Sequence, residues 1–214
     1  MVTGDFWATV GHSFGRIVTG FAVAAVVGVL GAALAAASRT VEVLAAPLVT
    51  AVRSTPVVSV IILVLIFAPS GQLAMVISFM MVGPIIYTNV LQGIRHRDPK
   101  LLEMAAVFRV PPLRRIAAVD VPAVMPFFIA ACQVGIGLAW KSGIAAEVIG
   151  LPEGSIGEQL YQAKIFLTTA DLFAWTIVVV TISYGVERLV LALLTRGRRP
   201  VAREPRRPAV GEPA

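Results

Sequence analysis

The sequence predicts an all-α integral membrane protein with about five transmembrane helices. Three observations predict it. Hydrophobic residues make up 57% of the chain and charged residues only 14%, a balance beyond that of soluble domains. The stretches 17–38 and 54–94 contain no charged residue at all. The formal charge of +6 is not spread over a surface, because its surplus falls in the 95–115 segment and in the tail beyond Leu194. Clustered arginine can mean nucleic-acid binding, but arginines that flank apolar spans report membrane topology instead.

Each element follows from its residues. Residues 1–16 are weakly amphipathic, lack the basic start of a signal peptide, and read as a segment on the membrane surface. Ile17 to Ser38 can cross a bilayer at about 1.5 Å per residue. Gly20, Ala24, Gly28, Ala32 and Ala36 recur every four residues and form a small face against which another helix can pack closely. Arg39 to Arg53 is a polar-edged connection containing Pro47. A second span is predicted over 54–69, with Thr55-Pro56 as N-cap and first helical residue. At that length it either starts earlier or sits inside the protein. Pro69-Ser70-Gly71 reads as a turn, and 73–94 as a third span kinked at Gly83-Pro84. Pro84 is then either a structural kink or a break that lines a pathway.

The fourth span is predicted over 122–140, or onward to Ile149, with a second small stripe at Ala131, Gly135, Ala139 and Gly143. If the helix ends at Trp140, Lys141 only snorkels at the interface. If it continues, Lys141 faces a cavity and can meet an anionic solute. Glu147 reads as an interfacial carboxylate. Residues 150–171 are too polar to span, with a short surface helix over 156–165. A fifth span follows over 172–195, and the Arg- and Pro-rich residues 196–214 read as a disordered basic tail. Cys132, the single cysteine, lies in an apolar run and reads as an inert buried thiol.

The interruption at 95–121 organises the rest. Asp98 is a good N-cap and Pro99 a good first helical residue. Leu101, Met104, Ala105 and Phe108 recur at helical spacing and share a face. Pro111-Pro112 must stop this helix, since proline lacks the amide donor and restricts its predecessor. A second short helix, Leu113 to Asp120, is expected to lead into the next span. A helix–break–helix at the membrane surface is the shape of a docking device.

These residues resemble the loop of bacterial binding-protein-dependent ABC importer permeases, whose pattern is E-A-A, three residues, G, nine residues, I-x-L-P. Glu103-Met104-Ala105 takes the first three places and Val119-Asp120-Val121-Pro122 the last four, with the spacing kept. Met104 replaces the middle alanine, and Arg109 stands where the family has glycine, so the turn is expected to shift towards Pro111-Pro112. RSTPVVS, LLEMAAVFRV and AWKSGIAAEVIG bring the chain near the nitrate, sulfonate and taurine branch. The resemblance covers about Phe6 to Thr195. It implies the type I ABC importer permease fold over 17–195, whose core is five helices, with an additional N-terminal helix in many relatives.

It also implies a homodimer, two ATP-binding-cassette ATPases on the cytoplasmic side and an extracytoplasmic solute-binding protein. The 95–121 loop becomes the coupling helix, with Glu103, Ala105, Ala106, Phe108, Arg109 and Pro111 as contacts and Val119, Val121 and Pro122 as the motif's end. Lys141 and Pro84 are the pathway candidates, and the solute class is a small anion such as nitrate, sulfonate or taurine. The arginine distribution places the 95–120 loop and the tail on the cytoplasmic side of the membrane, which the resemblance implies is a bacterial inner membrane, and hence the N-terminus outside.

The chain itself is not expected to be an enzyme. It has no G-x-x-x-x-G-K-[ST] phosphate loop, so ATP is used by a partner and no cofactor or metal is expected here. There is no G-x-S-x-G, no H-E-x-x-H and no paired cysteine. His12 and His96 stand alone. Ser142 beside Lys141 is the only nucleophile–base pair the sequence offers. The rival reading is an ion-gradient-driven carrier or a channel; a carrier would show repeated halves with discontinuous helices, and no internal repeat is present.

Overall fold

In the computed structural model, which describes residues 4–196, one helix forms the axis: α4, Ser70–Arg95. Half of its apolar stretch is buried, and Leu73, Ile77, Val82 and Ile86 are fully enclosed. On one side lies α1, Gly4–Ala37, and on the other a long helix whose main part is α7, Val121–Gly150. Gly20 and Gly28 of α1 meet Met75 and Ile86 of α4, so these two helices run parallel. Gly93 meets Phe127, Gly135 meets Val82 and Gly143 approaches Ser78, so α7 runs antiparallel to α4.

The small stripes explain this closeness. A Cβ on Gly20 would lie 2.3 Å from the Met75 carbonyl oxygen, and one on Gly143 would lie 2.6 Å from Ile17 Cγ1. Helices in lipid gain from such intimate backbone contact because water supplies no drive between them. All four residues of the α7 stripe are buried, as are Gly20, Ala24, Gly28 and Ala32 of α1. The α1 stripe then drifts: Ala36 is exposed and Ala35 is buried in its place. A four-residue step overshoots the 3.6-residue turn, and by the fifth position the face has rotated. Ser78 adds a polar link, its hydroxyl donating to the Ala139 carbonyl at 3.1 Å.

The first helix begins earlier than the sequence suggests. Residues 4–16 are not a separate surface segment but the opening turns of α1, with Thr9, Val10 and Ser13 buried. Phe6 stacks on Trp175 at 5.3 Å between ring centroids. Weak amphipathicity misled here because the buried side of these turns packs through hydroxyls as well as apolar groups.

Because α1 and α4 are parallel, the chain must return across the bundle between them. It does so through α2, Arg39–Ser54, and α3, Val57–Phe67, which meet at 107°. The expected 54–69 span is thus shorter than predicted. Eleven residues reach only about 17 Å, little more than half the hydrocarbon thickness. Pro56 forces the break, since it disfavours helical geometry at Thr55, which is extended at ψ 132°. Among the described residues, four helices are long and apolar enough to cross a membrane, or five if the bent α2–α3 pair is one span.

The 112–150 segment also differs. The short helix α6, Pro112–Arg115, passes through a π-helical turn, Ile116–Asp120, directly into α7. No separate second helix forms, and the span extends past Trp140 to Gly150. Leu151 ends it in the left-handed region at φ 49°. The short α8, Ile156–Ile165, matches the expected surface helix, with Ser155 accepting from the Glu158 amide at 3.0 Å as N-cap. The last helix, α9, covers Thr169–Arg196, and only 6% of its apolar stretch is buried. Most of the predicted basic tail, 197–214, lies outside the described residues.

Candidate coupling surface and pathway

The helix expected after Asp98 is present as α5, Pro99–Val107. Asp98 caps it, its carboxylate accepting from the Lys100 amide at 2.9 Å, with Pro99 at the first helical position. One side faces the protein through Ala105, 4% exposed. The other side is apolar and open: Leu101, Met104, Val107 and Phe108 are exposed, Phe108 at 74%. Leu113, at 80%, and Ile116 extend the same outward surface beyond the turn. Glu103 and Ala106 are exposed beside them. Of the face read from the sequence, Ala105 turns inward, while Leu101, Met104 and Phe108 turn out. An exposed apolar surface on a helix outside the long spans is a candidate interaction site.

The termination of α5 corrects one expectation. The Val110 amide donates to the Ala105 carbonyl at 2.9 Å, and the Arg109 amide to Ala106 at 3.0 Å. This is the paired hydrogen bonding of a Schellman cap, which needs its C′ residue in the left-handed region. Arg109 occupies that place at φ 50°. The turn therefore stays at the family's glycine position and does not shift to the prolines. Pro111 and Pro112 follow it, starting the next helix rather than making the break.

The loop is tied at its base. Arg97 Nη1 bonds Asp120 Oδ1 at 2.6 Å, and its Nε donates to the Ile94 carbonyl, also at 2.6 Å. Arg115 approaches the other carboxylate oxygen at 3.6 Å. One carboxylate thus joins the end of α4 to the start of the 112–150 helix, across 23 residues. Beside this clamp, Glu42 of α2 holds Arg95 at 2.5 Å and Arg39 at 3.0 Å. Within the motif's end, Val119 is half-buried, while Val121 and Pro122 are exposed.

The pathway candidates fall differently. Lys141 sits on a helix that continues past it, yet it is exposed and lines none of the main cavities among the described residues. Pro84 is half-buried within the unbroken α4. Ser142 does not pair with Lys141, because its buried hydroxyl donates to the Ala139 carbonyl at 3.3 Å. Cys132 is buried, as expected of an inert thiol.

Glu147 is the residue that sequence reasoning missed. It is not interfacial but fully buried. Its Oε2 accepts from the Ser13 hydroxyl at 2.7 Å and from the Gly157 amide at 3.4 Å, and Arg16 lies 3.8 Å from Oε1. Ser13 in turn accepts from the Ile156 amide at 2.9 Å. Three elements, α1, α7 and α8, meet on one carboxylate. A Cβ on Gly157 would lie 2.3 Å from the Glu147 carbonyl carbon, so only glycine fits there. Ser13 and Arg16 lie three residues apart on one face of α1, but nothing in the sequence links them to Glu147.

A family model described as "Binding-protein-dependent transport system inner membrane component" matches residues 24–197. The chain is 26% identical over 180 residues to a putative aliphatic sulfonates transport permease protein, SsuC, of Bacillus subtilis, covering 83% of this chain and 64% of that protein. It is also 26% identical over 188 residues to the bicarbonate transport system permease protein CmpB of Synechococcus elongatus, covering 87% and 67%. It therefore spans about two thirds of the length of these relatives. In fold it is similar to a chain of the MetNI methionine ABC transporter in inward-facing conformations, with a TM-score of 0.67, 19% identity, and 90% and 94% of the two chains covered. A chain of an amino acid ABC transporter with histidines gives 0.66 at 18% identity, covering 90% and 91%. With a family match over most of its length and the helix arrangement above, this chain belongs to the inner membrane components of binding-protein-dependent transport systems.

Proposed function

We propose that this chain is the membrane-spanning permease subunit of an ATP-driven import system and moves a small anion, of the nitrate, sulfonate or taurine kind. Two copies form the pathway, with Lys141 and the Pro84 region of α4 as its candidate lining. Each copy docks a separate ATPase through α5 and the turn after it, and an extracytoplasmic binding protein delivers the solute. The N-terminus lies outside and the coupling loop and C-terminus lie in the cytoplasm. ATP is bound and hydrolysed by the partner, and this chain holds no cofactor.

The observation that carries the reading is the exposed apolar face of α5, held outside the spans by a Schellman cap and a carboxylate clamp. Such a face can receive motion from a partner and pass it rigidly to α4 and the 112–150 helix. Closure of two ATPases on ATP would draw two docked helices together and switch the pathway between inward and outward opening. ATP and the loaded binding protein each shift that equilibrium only by their differential affinity for the two states. The relatives named for sulfonates and bicarbonate favour an anionic solute.

The test is purification of tagged wild type and Glu103→Lys from native membranes in mild detergent. Wild type is expected to bring down a Walker-type ATPase, and the variant to lose it while remaining inserted and monodisperse. Equal recovery of the ATPase with both would remove Glu103 from the docking surface, and no ATPase with either would sink the importer reading.

A further inference from the structure

At the end of the bundle that carries α5, α1, α4 and the 112–150 helix border an open cavity of about 740 Å³. This is within the roughly 300–1,000 Å³ typical of small-molecule sites. Its walls are apolar, built by Val29, Ala33, Ile94, Val124 and Phe128 among others. Its α1 side carries the short side chains of Ala33, Ala36 and Ala37. The mouth is charged, with Arg97, Arg115 and Asp120 around it. Two guanidiniums face one carboxylate there, at 2.6 Å and 3.6 Å, so the rim keeps a positive surplus. Arg97 and Asp120 are mostly enclosed, whereas Arg115 is 45% exposed.

The position of the rim selects the occupant. Arg97 lies just past the end of α4, and Arg115 lies in the first turn of the 112–150 helix. This is the level at which apolar spans give way to polar residues, where lipid headgroups lie. An apolar recess that opens there, under a surplus of positive charge, is complementary to an anionic amphiphile from the bilayer itself. Basic pockets between transmembrane helices recognise lipid headgroups in this way.

We propose that this cavity binds an anionic phospholipid, its acyl chain between α1 and the 112–150 helix and its phosphate on Arg115 and Arg97. The proposal rests on membrane placement alone and is independent of ATPase docking and of the solute.

The experiment is native mass spectrometry of the full chain in mild detergent, titrated with phosphatidylglycerol and phosphatidylcholine carrying the same acyl chains. Wild type is expected to retain the anionic lipid preferentially. Arg115→Gln should cut that preference about fivefold, the loss of one cation near an anionic headgroup, while Arg115→Lys keeps it. Ala33→Trp should reduce retention of both lipids by filling the recess. Arg53→Gln, on the exposed end of α2, should change nothing. Equal retention of the two lipids by wild type overturns the proposal, as does an unaltered preference in Arg115→Gln together with undiminished retention in Ala33→Trp. A disulfide formed through Ala36→Cys with a second copy would also overturn it, by giving the cavity to that copy. If a variant is not monodisperse, the wild-type discrimination and the Arg115→Lys result decide.

Discussion

Arg109 concentrates the chemistry of the 95–121 loop in one backbone angle. The C′ place of a Schellman cap favours glycine because a Cβ in the left-handed region meets the neighbouring carbonyl. Arg109 accepts that cost at φ 50° because both cap hydrogen bonds are made. Restoring glycine should relieve it. Arg109→Gly is expected to stabilise the loop by about 1 kcal/mol, seen as slower amide exchange over 99–110. Faster exchange there would show that the arginine side chain contributes more than its backbone costs. The motif was legible as a spacing, but the turn's location was not, since proline-based punctuation and cap geometry compete within three residues. Glu147 shows the opposite failure. Its partners Ser13 and Gly157 are 134 and 10 residues away, and no local pattern announces a carboxylate whose bonds are nearly all long-range.

Between elements, the decisive contact is the parallel seam of α1 and α4. Its small residues were legible because a four-residue repeat of glycine and alanine in an uncharged run has few other uses. The partner of that face was not, because a stripe does not state what lies against it. Gly20 is its tightest point, 2.3 Å from the Met75 carbonyl for an added Cβ. Gly20→Val must push the helices apart, and a loss of about 1–3 kcal/mol is expected, read as a lower Tm in detergent. Gly137, where a Cβ meets nothing within 4 Å, should accept alanine without loss. The expected crossing at 54–69 became a bent pair for a related reason. Hydropathy sees only the absence of charge from 54 to 94, whereas the 107° bend comes from Pro56 and from the need to return beside two parallel helices.

At the scale of the whole molecule, the 95–121 loop is joined to the bundle at both ends, and Asp120 closes the joint. Asp120→Asn removes the charge that pairs Arg97 and Arg115. Both pairs are partly solvated, so the expected cost in stability is only about 1 kcal/mol, measured by thermal unfolding. The functional effect should be larger. The variant is expected to keep its ATPase but lose solute-dependent stimulation of ATP hydrolysis in proteoliposomes, because a loosened loop moves without moving α4. Stimulation equal to wild type would show that the clamp does not transmit motion. The all-helical fold and the capped helix after Asp98 could be read from composition, charge placement and local punctuation. The clamp could not, because Arg97 and Asp120 are two charges among many in a basic segment until the fold brings them to 2.6 Å.

The most direct measurement of the coupling assignment is site-specific photocrosslinking from Phe108, with a benzophenone amino acid in its place and the complete system in native membranes. A crosslink to a Walker-type ATPase that strengthens or weakens with ATP is the expected result. A crosslink only to lipid, or to no protein at all, would contradict the assignment of α5 as the surface through which this chain is driven.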